Sequence, residues 1–125
     1  MRLLKLLLPL LLGFTAVSAL AGYKSSTPLV ISIANKHAYG QVSTVRYSAS
    51  TTERIGCSIN SPTESECYAV DAQRVIGRCK TSSSDFHRAI QMINNTSYIY
   101  FEWIFKNGMN TCTRIYVSNY SYNLR

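Results

Sequence analysis

The sequence predicts a mainly β, α+β domain: antiparallel strands in a meander and a C-terminal β-hairpin, one amphipathic helix and two disulfides. Three observations carry this. Two strongly β-prone runs, Ser97 to Phe105 and Thr111 to Ser118, flank the five-residue loop Lys106-Asn107-Gly108-Met109-Asn110, a clear hairpin signal. Short alternating runs between Ile55 and Lys80 are punctuated by Asn60-Ser61-Pro62 and Ala72-Gln73-Arg74. Finally, four cysteines, an even number, all lie beyond an export-like leader.

The leader begins Met1-Arg2-Leu3-Leu4-Lys5, a short basic start. An apolar run from Leu6 to Leu12, broken by Pro9, follows it, and the small residues Ser18-Ala19-Leu20-Ala21 close it. A positive end, an apolar core and an A-x-A site make up a signal peptide. We place the cut after Ala21, with Val17-Ser18-Ala19 as a second site. The core is shorter than the roughly 20 apolar residues of a spanning helix, and no Cys follows it as in a bacterial lipoprotein. The expected organisation is therefore a signal peptide over 1–21, a polar lead-in over 22–28 and a single domain over 29–125. The expected location is secreted or periplasmic, with no transmembrane segment after cleavage.

Cys57, Cys67, Cys79 and Cys112 in an exported chain argue for two disulfides. A zinc site fits poorly, because there is no C-x₂-C pair and neither His lies near a Cys. Of three possible connectivities, Cys57–Cys67 with Cys79–Cys112 is favoured. Cys57 and Cys67 are symmetric about Pro62, and the second bond ties the meander to the hairpin, for about 4 kcal/mol in the chain-entropy model. Cys67 and Cys79 are similarly symmetric about Gln73, which leaves Cys67–Cys79 open.

Taken in order, Leu29 to Ile33 reads as a buried strand between Pro28 and Asn35, and Asn35-Lys36-His37 as a polar turn. Gln41 to Ala49 alternates, with Val45, Tyr47 and Ala49 on one face, and reads as a half-buried strand. The meander follows: Ile55-Cys57-Ile59, Glu66 to about Asp71, and Val75 to Lys80. Ser82 to Asp85 offers N-caps for a helix over about 83–95, with Phe86, Ala89, Ile90 and Ile93 in an apolar stripe and Asn94-Asn95 as its stop.

In the C-terminal hairpin the side chains select a register. Trp103 opposite Thr113, Phe101 opposite Ile115 and Ile99 opposite Val117 gather the large apolar groups on one face. Glu102 then lies opposite Arg114, and Tyr100 opposite Tyr116. Tyr98, Tyr100 and Tyr116 share the other face, with Tyr120 and Tyr122 continuing the alternation and Arg114 and Lys106 nearby. Such a face suits stacking against sugar rings or bases. The same register puts Cys112 and Ile104 on it, so a Cys79–Cys112 bond implies cover. Cover by the helix or an N-terminal strand is weighed above an open platform.

Signals for chemistry are sparse. His87 on the helix, beside Asp85 and Arg88, reads as an exposed surface residue, as does His37. There is no G-x-S-x-G elbow, and no free Cys remains if both disulfides form. The carboxylates Glu53, Glu64, Glu66, Asp71, Asp85 and Glu102 fall in no glycosidase motif. No catalytic, metal or cofactor-binding residue is assigned, and no cofactor is expected. Arg2 and Lys5 leave with the signal, so eleven of thirteen basic residues face six acidic ones, net +5. Only Arg74-Arg78-Lys80 clusters. Asn94, Asn95 and Asn119 each open an N-x-Ser/Thr sequon, meaningful in a eukaryotic source.

Ile55-Gly56-Cys57, Cys67-Tyr68-Ala69-Val70-Asp71-Ala72, Cys79, Ser97 to Trp103 and Cys112-Thr113 together resemble a group of small exported bacterial four-cysteine proteins of unknown function. The likeness covers about the C-terminal two-thirds of the mature chain. Members tend to carry Gly near Gln73 or Arg74 and Asp after the Trp, where Arg74 and Ile104 stand here. The resemblance implies export and the four-cysteine pattern, and it transfers no catalytic residue.

The functional expectation is a non-enzymatic binding or interaction module at the cell envelope or outside the cell. Tyr98, Tyr100, Tyr116 and Arg114 are its candidate surface, and a glycan or an anionic envelope component its partner. No specific nucleic-acid partner is indicated. The alternatives are a small secreted hydrolase or toxin using His87 with an acid, and an inhibitor of a secreted enzyme working through Ser58 to Glu66.

Overall fold

The computed structural model describes residues 26–120. The leader, the cut after Ala21, the start of the polar lead-in and Tyr122 lie outside the described residues. The strands are β1 (Val30–Ser32), β2 (His37–Gln41), β3 (Arg54–Ser61), β4 (Glu64–Val70), β5 (Ile76–Thr81), β6 (Tyr98–Lys106) and β7 (Met109–Ser118). Two helices, α1 (Val42–Arg46) and α2 (Ser84–Gln91), complete the fold. The strands form one sheet in the order β1-β2-β6-β7-β5-β4-β3. The domain is mainly β, as the sequence predicts.

The expected meander is β3-β4-β5, antiparallel throughout, with Cys57 opposite Cys67 and Cys67 opposite Cys79. Both disulfides form as favoured, Cys57–Cys67 and Cys79–Cys112. The first clamps neighbouring strands of one hairpin. The second joins β5 to β7, whose backbones meet in parallel at a single register pair, Lys80 with Thr111.

β6 and β7 make the predicted hairpin, but its connection is shorter than the five-residue loop Lys106 to Asn110. Lys106 already pairs with Met109. Asn107 and Gly108 turn the chain alone, at φ 51° and 76°, the doubly positive φ of a type I′ turn that matches the strand twist. Ile99 opposite Val117, Tyr100 opposite Tyr116, Phe101 opposite Ile115 and Glu102 opposite Arg114 follow the predicted register.

Trp103, however, lies opposite Cys112 and not Thr113, because the register shifts after Glu102. Thr113 is the extra residue of a β-bulge on β7. One residue of slip moves a side chain to the other face of the sheet. Cys112 therefore points inward, 5 % exposed, to meet Cys79, 1 % exposed. The expectation that Cys112 shares the tyrosine face is corrected, and with it the inference that the disulfide needs cover there. Ile104 stays exposed.

The interior gathers Ala38, Val45, Ile55, Cys67, Ala69, Ile90, Ile99, Phe101, Trp103 and Ile115. The sheet folds over this core. β5 and β1 are separated by three strands in the sheet order, yet Gly77 of β5 faces Ile31 of β1 and Trp103 of β6. A Cβ at Gly77 would stand 2.9 Å from Trp103 Cη2 and 3.3 Å from Ile31 Cγ2. Glycine is required there for the close approach.

Three local expectations are corrected. The strand near the N-terminus is shorter than Leu29 to Ile33 and is not buried. β1 is an edge strand: Val30 and Ile33 are exposed while Leu29 and Ile31 pack on the core. The stretch Gln41 to Ala49 is not a strand. It opens with α1, and the Tyr47 amide donates to the Ser43 carbonyl at 3.1 Å, an i→i−4 bond. Val42 and Val45, three residues apart, both pack on the core, whereas Tyr47, expected to face it, is 70 % exposed. Burial at helical spacing overrides the β-branched composition.

α2 starts as expected, with the Ser83 hydroxyl accepting from the Phe86 amide at 3.4 Å, but it ends at Gln91, short of residue 95. The Asn94 amide donates to Ser97 Oγ, and Asn94 Oδ1 accepts from the Thr96 amide, each at 2.9 Å. These side chains give the backbone partners outside the helix.

Candidate ligand-binding face

β2, β6 and β7 are neighbours, so their outward residues fall into cross-strand rows. His37, Glu102 and Arg114 form one, Tyr39, Tyr100 and Tyr116 the next, and Gln41, Tyr98 and Ser118 the third. Alternation along the strands sends Ala38, Gly40, Ile99, Phe101 and Ile115 to the interior and leaves the rings outside. α1 packs inside: a Cβ on Gly40 would stand 3.1 Å from Val45 Cγ2. α2 also packs inside, burying Ile90. Tyr116 is exposed and Tyr39, Tyr98 and Tyr100 are half-buried, while Gln41 and Ser118 of the third row are buried. Neither α2, which packs inside, nor β1, which lies at the sheet edge, gives the expected cover.

The rings form a connected array. Tyr39 and Tyr100 stack at 6.1 Å between centroids, and Tyr98 meets Tyr116 edge-on at 6.2 Å. His37 lies 5.8 Å from Tyr39 and 5.7 Å from Tyr100. Arg114 places its guanidinium 5.6 Å from the Tyr100 centroid, a cation–π contact. Tyr98, Tyr100, Arg114 and Tyr116 line an open depression of about 310 Å³, near the lower end of ligand-site volumes.

Glu102, expected to pair with Arg114 across the strands, instead accepts from the Tyr100 hydroxyl at 3.2 Å. That leaves the exposed Arg114 guanidinium stacked and not ion-paired among the described residues. Burial pushes the Tyr98 phenol above its ordinary pKa, helped by Tyr39, Tyr100 and Tyr116. Desolvation also raises Tyr100, with Glu102 adding to the shift and Arg114 opposing it. Both phenols therefore keep their protons at neutral pH. The face presents neutral hydroxyls, one carboxylate and one guanidinium around apolar rings. It can hold a ring-bearing, hydroxyl-rich molecule by contact and hydrogen bonding.

Tyr39 and His37 are members that the sequence reading missed. Placing His37 in a turn and starting a strand at Gln41 hid β2. The available signal is the alternation His37-Ala38-Tyr39-Gly40-Gln41, large polar against small. Tyr120 is exposed but lies beyond the end of β7.

The other candidates go elsewhere. The Arg74-Arg78-Lys80 cluster is largely paired: Arg78 with Glu66 at 3.0 Å and Lys80 with Glu64 at 3.1 Å. Arg78 also stacks on Tyr68, which Arg54 flanks as well. Arg74 sits in a turn at φ 64°. His87 is half-buried and not exposed. Its Nδ1 lies 3.0 Å from Ser65 Oγ, tying α2 to β4, and Asp85 pairs with Arg88. Ser65 is 1 % exposed, so its hydroxyl is closed to a substrate. Ser58 to Glu66 forms a disulfide-clamped hairpin with Ile59 exposed. Asn119 Nδ2 donates to the Met92 carbonyl at 3.0 Å. Among the described residues, no three His, Cys, Asp or Glu side chains gather where they could hold a metal ion.

No protein-family model matches the chain, and comparisons with curated proteins and with solved structures find no significant match.

Proposed function

We propose that the chain is an exported, non-enzymatic binding module whose tyrosine face takes a glycan of the cell envelope or its surroundings. The observation that carries this reading is the array of Tyr39, Tyr98, Tyr100 and Tyr116 with Arg114 on a sheet whose helices both pack on the other side. Export rests on the leader over 1–21 and is supported by the two disulfides, which persist in oxidising compartments. The likeness to the exported four-cysteine group points the same way.

Aromatic rings supply large, rigid contact area at low entropic cost, and Glu102 and Arg114 offer an acceptor and donors for sugar hydroxyls. Tyr116 and Arg114 are the accessible members, because Tyr100 is packed between Arg114 and Tyr39. Replacing Tyr100 and Tyr116 together by Ala weakens retention on a glycan array about tenfold or more, with the melting transition still cooperative. Retention equal to that of the wild type would reject the reading.

A further inference from the structure

The tip of the β6–β7 hairpin lies beyond the tyrosine rows and offers a second surface. β2 ends its pairing with β6 at His37 opposite Glu102, and the Lys36 carbonyl accepts the Trp103 amide at 3.0 Å. From Ile104 onward β6 pairs only with β7, so the hairpin projects past the β1–β2 turn. Its side chains are apolar and exposed on both faces: Ile104 44 % and Met109 45 % on the outer face, Phe105 67 % on the inner one, with Ile33 52 % at its root. Solvated hairpin ends are ordinarily polar, and a cluster of apolar groups at one marks an interaction site.

Cations flank this tip. Lys106 lies on the hairpin and Lys36 at its root, and among the described residues neither ammonium has an ion-pair partner. Glu64, which borders Met109, is paired with Lys80, and no salt bridge joins Glu102 to either lysine among the described residues. Opposite charge is therefore the complement the tip lacks.

We infer that the hairpin tip docks on an anionic lipid surface, inserting Phe105, Ile104 and Met109 at the headgroup boundary with Lys36 and Lys106 against the lipid phosphates. Shape favours this occupant over a second copy of the chain. A convex tip of four side chains offers far less than the about 800 Å² per partner of a stable interface. A bilayer accepts it without a preformed groove, and interfacial binding combines apolar burial with attraction to anionic lipid. A module held this way would carry its tyrosine face close to the envelope.

The test uses the processed protein recovered after export, so that the apolar leader does not contribute. It is sedimented with vesicles of phosphatidylglycerol and phosphatidylcholine in equal parts, and with phosphatidylcholine alone. The wild type sediments with the mixed vesicles and is released by salt. Phe105→Ser lowers the partition coefficient about tenfold, and Lys36→Gln and Lys106→Gln each lower it about fivefold. Tyr116→Ala leaves it unchanged, and Phe105→Ser leaves glycan retention unchanged, which separates this inference from the proposed function. An unchanged partition for Phe105→Ser, or no sedimentation of the wild type, overturns it. A wild-type dimer that Phe105→Ser converts to monomer in sedimentation equilibrium also overturns it, by assigning the tip to self-association.

Discussion

Replacing Cys79 and Cys112 together by Ala lowers the free energy of unfolding by about 4 kcal/mol, and replacing Cys57 and Cys67 lowers it by about 3 kcal/mol. The sequence separations of 33 and 10 residues set this order, because the longer loop restricts the unfolded chain more. The folded state widens the gap. Cys57 and Cys67 sit in strands already joined along their length by backbone pairing. Cys79 and Cys112 span the place where the sheet is held by one register pair. Alanine is the right replacement, since Cys79, Cys112 and Cys67 are buried and a serine hydroxyl would lack partners there. Urea unfolding of the two double variants measures both losses. An equal or larger loss for the Cys57/Cys67 pair would contradict this description of the sheet.

The second large effect is at the fold-over. Trp103 is 5 % exposed beneath Gly77 and beside Phe101, with ring centroids 5.8 Å apart. Trp103→Ala costs about 3–5 kcal/mol through lost burial and the cavity it leaves. Gly77→Ala costs about 1–3 kcal/mol by overpacking, because its methyl meets the indole edge at 2.9 Å. The two changes are coupled. In the Trp103→Ala background the methyl enters vacated space, so the double variant is more stable than the sum predicts by at least about 0.5 kcal/mol. Strict additivity in a double-mutant cycle would mean that β5 does not close over β6.

Of these two devices, the disulfides are partly visible in the sequence and the fold-over is not. The symmetry of Cys57 and Cys67 about Pro62 and the linking value of a long loop favour the observed pairing, but the equal symmetry of Cys67 and Cys79 about Gln73 leaves another open. The hairpin register from Ile99 to Glu102 followed from side-chain alternation, since a one-residue slip would have mixed rings with core residues. The bulge at Thr113 carried no such mark. It depends on Cys112 having to reach Cys79 in the interior, a tertiary demand that alternation does not encode. The fold-over is equally non-local, and Gly77 reads as an ordinary strand glycine until Trp103 is placed beneath it.

The candidate face shows the same division. Tyr98, Tyr100, Tyr116 and Arg114 were found because they lie on one well-patterned hairpin. Tyr39 and His37 escape a reading of the sequence because β2 is short and runs directly into α1, where Val45 alternates with Tyr47 and Ala49 as in a strand. Cys112 falls on that face in the register that alternation alone selects, and the bulge at Thr113 moves it inward. His87 was read as a solvent residue because Ser65, its partner, is 22 positions away.

The account turns on the outer face of β2, β6 and β7 being the surface that meets a ligand. The most direct measurement is amide and side-chain chemical-shift mapping of the labelled protein, titrated with a glycan that it retains. The account predicts shifts confined to residues 37–41, 98–102 and 114–118, with the phenol rings of Tyr98 and Tyr116 and the guanidinium of Arg114 among those that move. Shifts centred instead on Ser58 to Glu66, or on Ser65 and His87, would contradict it.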